Sequence, residues 1–464
     1  MARIQASEPA PLSHTLQFGR ALLPDGWAEN VEIDIADGLI HAIRTDCAGI
    51  SSSRSSLTVV SGLPNLHSHA FQRGMSGRTE YRLSAKEDSF WTWREQLYKF
   101  IRNATPDDIK AISALAFAEM LEGGFTRVCE FHYLHNTPAG SPYTDPAEIA
   151  GQVAQAANAA GIGLTLLPVF YAQGGFGGQP PSDGQERFLN TLDSFSSLLD
   201  HAERHCETLE GAVVGVAPHS LRAVTHQQLA AMRTFRPDKP IHIHIAEQIK
   251  EVEACLEWSR ARPVEWLLEH ADVDEHWCLV HATHTDETER GNIAKSGAVA
   301  GLCPITEANL GDGIFELPVF LKAGGLFGVG SDSNVSIDAA DELRLLEYSQ
   351  RLRFKRRNVI NTDSGGSSGR MLYEAALEGG RRASGTSARL APGHSADMLV
   401  LAPSEILSGK DTNDAILDEW VFRRGKASIA EVWVRGGRMV EQGRHVRRSE
   451  FEADFLRALK RILD

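Results

Sequence analysis

The chain has 464 residues, of which 42% are hydrophobic and 23% charged, the composition of a folded globular protein with a substantial core and not of a disordered one. Its formal net charge of −14 excludes a general affinity for nucleic acid or anionic lipid, which depends on clustered Lys and Arg, so an anionic substrate requires a local basic pocket. The length suits one β/α barrel of roughly 250 residues plus a smaller domain as well as it suits three domains.

The opening "MARIQASEPAPLSHTLQFG" has no apolar core of signal-peptide length, and no stretch approaches the roughly 18 uncharged apolar residues of a membrane span. The six cysteines are scattered without C-x-x-C spacing and read as reduced thiols, so a cytoplasmic protein is expected. From Leu16 to Ile43 short strands are broken by turns, "LQFGRALLP" and "VEIDIADGLIHAI", the second with an Asp-Gly hairpin signal. The Ser-rich "AGISSSRSS" at 48–56 is expected to be a flexible connection.

Beyond it, apolar strand-like runs alternate with helix-length segments. The runs are "LTVVSGLPNLH", "TRVCEFHY", "IGLTLLPVFY", "AVVGVAPHS", "KPIHIHIAE", "WCLVHATH", "GAVAGLCP" and "LFGVGSDS". The helix after the first run is marked by Thr105 as N-cap, Pro106 as its first residue, Asp107 and Asp108 in its first turn and Gly123 at its end. Eight buried parallel strands with intervening helices predict an α/β fold, a (β/α)8 TIM-like barrel. The tail returns to β character in "GHSADMLVLAP" and "IAEVWVRGGRMVEQGRHV". It ends in an amphipathic helix, "RSEFEADFLRALKRILD", whose charged face reads as solvated surface. The expected layout is a barrel over 61–384 and a small β-sandwich built from both chain ends, 1–60 and 385–464, the latter including the terminal helix.

Barrel active sites are built at the C-terminal ends of the strands. Here polar residues close the runs in a pattern: His67 and His69 on the first, Glu130 and His132 on the second, His219 on the fourth. His242, His244 and Glu247 follow on the fifth, His281 on the sixth and Asp332 on the eighth. A single strand-end histidine is more often a hydrogen-bonded structural residue. His67 and His69, however, stand at i and i+2 and face one space together, which suits chelation. The candidate ligands His67, His69, His244 and Asp332 suit one Zn2+ with a position left for water; iron or manganese accept the same set. His242 shares a face with His244, and only the spacing to Glu247 favours His244. The fourth strand end, "GVAPHSLRA", has no lysine to bridge a second ion, so a mononuclear site is expected. Bound zinc lowers the pKa of its water to about 7. Glu247 is placed to shuttle the proton, and His281 to orient the water or polarise a C=N bond.

The set "NLHSH", "HIHIAEQ", "LVHATH" and "GVGSDSN" resembles the amidohydrolase superfamily in its mononuclear deaminase branch. The stretches "HAFQRGMSG", "DSFWTWREQLY", "EFHYLHN", "GFGGQP", "HSLRAV" and "TEANLGDGIF" resemble one member family, the formimidoylglutamate deiminases, over nearly the whole chain. The resemblance implies hydrolysis of N-formimino-L-glutamate to N-formyl-L-glutamate and ammonia in histidine degradation. It implies metal ligands at His67, His69, His244 and Asp332, acid/base groups at Glu247 and His281, and a homodimer. Substrate contacts fall on Gln72, Arg94, Tyr133, His219 and Arg222. A dicarboxylate substrate needs local cations, and Arg94 and Arg222 offer the guanidinium fork that binds carboxylate in a bidentate manner. Gln72 can hydrogen-bond the formimino or carboxylate end. Arg73 receives no role, and the sequence does not distinguish Arg94 acting within its own subunit from acting across an interface.

Two other readings stand beside this one. A deaminase of the same branch acting on an aminated purine, pterin or triazine-like ring requires a pocket lined by apolar or aromatic stacking groups. A barrel serving as a scaffold without catalysis is opposed by the presence of all four ligands and the acid/base glutamate. The Gly-rich "YAQGGFGGQPP" at 171–181 lacks the Lys-Ser/Thr pair and following helix of a phosphate loop and reads as a barrel-top loop closing the pocket.

Overall fold

The computed structural model describes residues 14–82, 89–361, 365–387, 389–407 and 414–464; residues 1–13, read above for a leader, and Asp88 of the "DSFWTWREQLY" motif lie outside them. Strands β1 (His14–Leu23), β2 (Gly26–Ala36), β3 (Leu39–Arg44) and β4 (Thr58–Ser61) come first. They are followed by β5 (Leu63–Ser68), β6 (Phe125–His132), β7 (Gly163–Phe170), β8 (Val213–Val214) and β9 (Ala217–Pro218). Then come β10 (Ile241–Ile245), β11 (Trp277–His281), β12 (Val299–Leu302) and β13 (Leu326–Val329). The chain ends through β14 (Met398–Leu401), β15 (Ile429–Val434), β16 (Gly437–Glu441) and β17 (Arg444–His445).

Both chain ends enter one eight-stranded sheet, in the order β17-β16-β15-β14-β4-β1-β2-β3. The described strands therefore follow a single sheet path, not the two separate facing sheets of the expected sandwich. The joint is β4, which runs parallel to β1 and antiparallel to β14. Its alternation serves two cores: Val59 joins Phe18, Val31, Ile33, Met398 and Val400 in a small core of the terminal module, while Val60 joins the main core. The predicted hairpin turn is present, with Asp37 and Gly38 both left-handed (φ 51° and 75°) between paired Ala36 and Leu39, the twist that right-twisted strands favour. The Ser-rich segment expected to be flexible is instead pinned by its one long charged side chain. Arg54 donates to the Gln17 carbonyl at 3.0 Å and to Glu431 at 2.6 Å, and lies over the Phe18 ring.

The middle of the chain has the predicted alternation. Strands β5 to β8 form one parallel sheet, with β9 against β7, and β10 to β13 form another. Parallel bridges Ser68–Asp332 on one side, and Val216–Ile241 and Ser220–His244 on the other, join them. The result is a TIM-barrel-like α/β fold, with the functional strand ends on one side. Helix Pro106–Glu122 begins as its signals predict: Thr105 and Asp108 exchange side-chain bonds with each other's backbone N–H, at 3.2 and 3.1 Å. Helix Ser368–Ser384 packs tightly on β13, because Gly379 meets the Phe327 carbonyl where a Cβ would stand only 1.9 Å from its oxygen. The terminal helix Arg448–Leu463 buries Phe451, Ala458 and Leu459. Part of its charged face is an ion-pair seam and not open surface, with Arg448 on Glu119 and Glu122 at 2.7 Å and Arg461 on Asp108 at 2.9 Å. No described helix is long and apolar enough to cross a membrane.

Candidate active site

Four buried side chains from the ends of three strands converge: His67 of β5 and His69 just past it, His244 of β10 and Asp332 just past β13. One ligand atom from each lies within 4.8 Å of the others. Asp332 Oδ1 is 3.4 Å from His67 Nε2 and 3.3 Å from His69 Nε2, and His67 Nε2 is 3.0 Å from His244 Nε2. Backbone carbonyls set two of the tautomers. His69 Nδ1 donates to Phe131 O at 2.8 Å and His244 Nδ1 to His219 O at 3.0 Å, leaving each Nε2 lone pair toward the centre. Burial lowers the pKa of His67 to about 3 and also lowers those of His69 and His244. Burial alone would raise the Asp332 carboxyl, but the His67 hydrogen bond and the neighbouring histidines hold it below the usual range. Neutral imidazoles crowding their lone pairs around one carboxylate fit a divalent cation.

The backbone supports this geometry. Asn65 Nδ2 donates to Ser331 Oγ at 2.6 Å, Ser331 Oγ to Asn334 Oδ1 at 2.6 Å, and Asn334 Nδ2 to Ser68 Oγ at 3.1 Å, so the seam between β5 and the Asp332 turn is laced by buried polar groups. Ala246, His281, Ala282 and Asp332 all have positive φ, from 43° to 68°, a conformation that costs non-glycine residues energy and is held here by the surrounding bonds.

Beside the ligands stand Glu247 and His281. Glu247 Oε1 is 3.9 Å from His281 Nε2, which is 3.8 Å from Asp332 Oδ2. The turn carrying Glu247 is fixed by Glu251, whose carboxylate accepts the backbone N–H groups of Ala246 and Glu247. Burial pushes the Glu247 carboxyl up to about 7. Burial opposes charging His281, but Glu247, Glu307 and Asp332 outweigh it and push the ring up to about 10.

A pocket of about 70 Å³ opens above these groups. Gln72, Arg94, Tyr133, His219 and Arg222 all line it, with His69, His244, Glu247, His281 and Asp332; His67 lies behind. Arg94 therefore reaches the pocket of its own chain. Gln72 Nε2 donates to Tyr133 Oη at 2.9 Å. Arg94 lies over Trp91 at 4.6 Å, and Arg222 stands 6.0 Å from the same ring. Neither arginine has an ion pair among the described residues, and Arg222 Nε is buried without a hydrogen-bond partner.

Several sequence readings gain a place. His242 lies two residues before His244 and bonds Ala383 O through Nε2 at 2.8 Å, so it serves the barrel interior and not the metal cradle. Arg73 ties the turn after β5 to Glu119 at 2.6 Å and to the carbonyls of Asn334 and Val335. On β6 the ring against the metal-facing histidines is Phe131, 5.0 Å from His67 and 4.4 Å from His244, and Tyr133 follows on the same face. Glu130 and His132 thus sit on the other face, and Glu130 accepts the Ala70 N–H at 2.7 Å. Sequence reasoning placed Tyr171, which closes the third barrel run, only at the start of a loop over the pocket and gave it no role of its own. It missed Glu307, a helix residue whose link to His281 has no local signature.

Comparison with known proteins agrees with this geometry. The Amidohydrolase family pattern matches residues 58–439, and that described as Formimidoylglutamate deiminase HutF, N-terminal domain, matches 16–52. A formimidoylglutamate deiminase of Pseudomonas aeruginosa is 48% identical over 96% of this chain and 98% of its own. A crystal structure of an amidohydrolase from Brucella melitensis is 51% identical, covers 97% of this chain and 100% of its own, and superposes with a TM-score of 0.93. An adenosine deaminase from Xanthomonas campestris with bound zinc shares the fold at 18% identity and a TM-score of 0.78, over 97% of this chain and 98% of its own. A family match over most of the chain and near-half identity along its full length place this protein in the amidohydrolase family, with the formimidoylglutamate deiminases.

Proposed function

We propose that this enzyme hydrolyses N-formimino-L-glutamate to N-formyl-L-glutamate and ammonia, breaking a linear amidine C–N bond. One observation carries the reading beyond kinship: Arg94 and Arg222, without ion pairs among the described residues, face the same pocket as the four-ligand cradle. Two guanidiniums without a direct ion pair among the described residues, in a protein of net charge −14, match a substrate with two carboxylates. His67, His69, His244 and Asp332 would hold a divalent cation, which would supply Lewis acidity and acidify a water molecule. We assign it as Zn2+, one per subunit, from the donor chemistry of three imidazoles and one carboxylate.

Around that centre the chain's own groups carry the protons. Glu247 takes one proton from the attacking water and gives it to the imino nitrogen as the C–O bond forms. It then moves the remaining hydroxyl proton to the same nitrogen, which leaves as ammonia as the C–N bond breaks and the formyl C=O appears. His281, protonated between three carboxylates, stabilises the oxygen on which charge develops. Gln72, Tyr133 and His219 orient the substrate, and the two arginines hold its carboxylates.

Aromatic lining alone does not separate this reading from a heterocycle deaminase, since Phe90, Trp93, Tyr98, Tyr133, Tyr171 and Phe188 also face the pocket. The paired arginines favour the dicarboxylate. We also propose that the two parallel sheets close as a (β/α)8 barrel over 61–384, supported by the bridges at both seams, with 1–60 and 385–464 forming the accessory module. A cytoplasmic homodimer acting on a small-molecule dicarboxylate, without nucleic acid or membrane, completes the proposal; six unpaired cysteines, five of them buried, accord with a reducing compartment. A coupled ammonia assay over formimino amino acids, guanine and other cyclic amidines tests it. Release from N-formimino-L-glutamate is expected, and selective release from a ring substrate contradicts it.

A further inference from the structure

We propose that Tyr171 binds the side-chain carboxylate of the substrate through its phenolic hydroxyl, an inference that rests on the formiminoglutamate reading above. Tyr171 follows β7 directly, is buried and lines the pocket with Arg94, His219 and Arg222. Its oxygen already accepts a hydrogen bond from Gln185 Nε2 at 2.7 Å. The direction of that bond is fixed, because the other end of the buried amide, Gln185 Oε1, accepts the Ser182 N–H at 2.8 Å. With an amide N–H on its lone pair, the phenol has its own proton left to donate. Among the described residues no acceptor for that proton is present. A buried donor without an acceptor is costly, and Tyr171 lines the pocket where a substrate acceptor can supply one. Burial, with Tyr98 beside it, pushes this hydroxyl up to about 12 against the pull of Arg222 and Arg94, so it remains a donor across the working range.

The position selects which carboxylate. Rings step away from the metal ligands, from His244 to His219 at 4.9 Å between centroids and from His219 to Tyr171 at 4.7 Å. Among the described residues Tyr171 makes no ring contact with His67, His69, His244 or His281, whereas Tyr133 lies 5.0 Å from His69. Tyr171 thus stands one ring farther out than His219, where the far end of the substrate lies when its formimino carbon is at the metal centre. Its donor adds to the charges of Arg94 and Arg222 in recognising that end.

The test compares Tyr171→Phe with wild type on two substrates, N-formimino-L-glutamate and N-formimino-L-norvaline, which carries a methyl in place of the side-chain carboxylate. Loss of a hydrogen bond to a charged acceptor is expected to raise KM for the glutamate compound about 10- to 100-fold with kcat nearly unchanged. The variant's kcat/KM for the norvaline compound is expected to stay within about twofold of wild type. An equal loss on both substrates makes Tyr171 a prop for the 182–188 loop and overturns the proposal, as does an unchanged KM for the glutamate compound. Failure of the wild-type enzyme to release ammonia from either compound instead removes the functional reading beneath it.

Discussion

His281 Nδ1 lies 3.3 Å from Glu307 Oε1, and the same oxygen accepts the backbone N–H of Cys303 at 2.9 Å. The carboxylate therefore fixes the plane of the ring, turning Nε2 toward Glu247 and Asp332. Truncation by Glu307→Ala is expected to lower kcat about 10- to 100-fold, a loss of the size seen when a metal-ligating histidine loses its outer partner, with a smaller change in KM. Glu307→Gln keeps an oxygen that can accept both bonds and should recover most of the turnover. Steady-state kinetics of the two variants decide this.

Glu247 is assigned the proton transfers, so Glu247→Gln should lower kcat by roughly 10²- to 10⁴-fold. The side chain is not among the four ligands, and elemental analysis should find the same metal content as in wild type. Near-normal turnover removes the shuttle assignment.

His242 and His244 share one strand face but have different partners. His244→Ala should lose the cation and with it activity. His242→Ala should keep the cation and lose stability instead, about 1–3 kcal/mol for leaving the buried Ala383 carbonyl without its partner. Metal content and urea denaturation of the two variants separate the roles.

This pair also shows how far the sequence could be read. Period-two alternation made His67 and His69 a converging pair, and the strand-end rule gathered His244, His281 and Asp332 from runs far apart in the chain. Alternation could not separate His242 from His244, since both face inward and only their depth in the barrel differs. The same rule gave no phase for β6, where the polar Glu130 and His132 drew attention although Phe131 and Tyr133 face the site. Tyr171 and Glu307 depend on how loops cross the barrel mouth, which no local pattern encodes. The accessory strands were legible, but not the way β4 would fuse them into one sheet.

Away from the site, burial would raise the Asp274 carboxyl, but bonds from Arg233 and the His276 N–H outweigh it and hold it near 2, below its ordinary 3.8. A depressed carboxyl stabilises the fold above its unfolded pKa and ceases to do so as pH falls through the folded value. The stability advantage of wild type over Asp274→Asn should thus be full above about pH 5 and shrink toward pH 2. Because the pair is partly exposed the effect should be modest and weaker in salt. Denaturation midpoints of both proteins across that range check it.

The most direct measurement is a metal titration of chelator-stripped enzyme, with bound cation and ammonia release from N-formimino-L-glutamate followed on the same samples. Activity is expected to rise in proportion to bound zinc and to level off at one cation per chain. Full turnover in the stripped protein, or a plateau reached only at two cations per chain, contradicts a mononuclear centre held by His67, His69, His244 and Asp332.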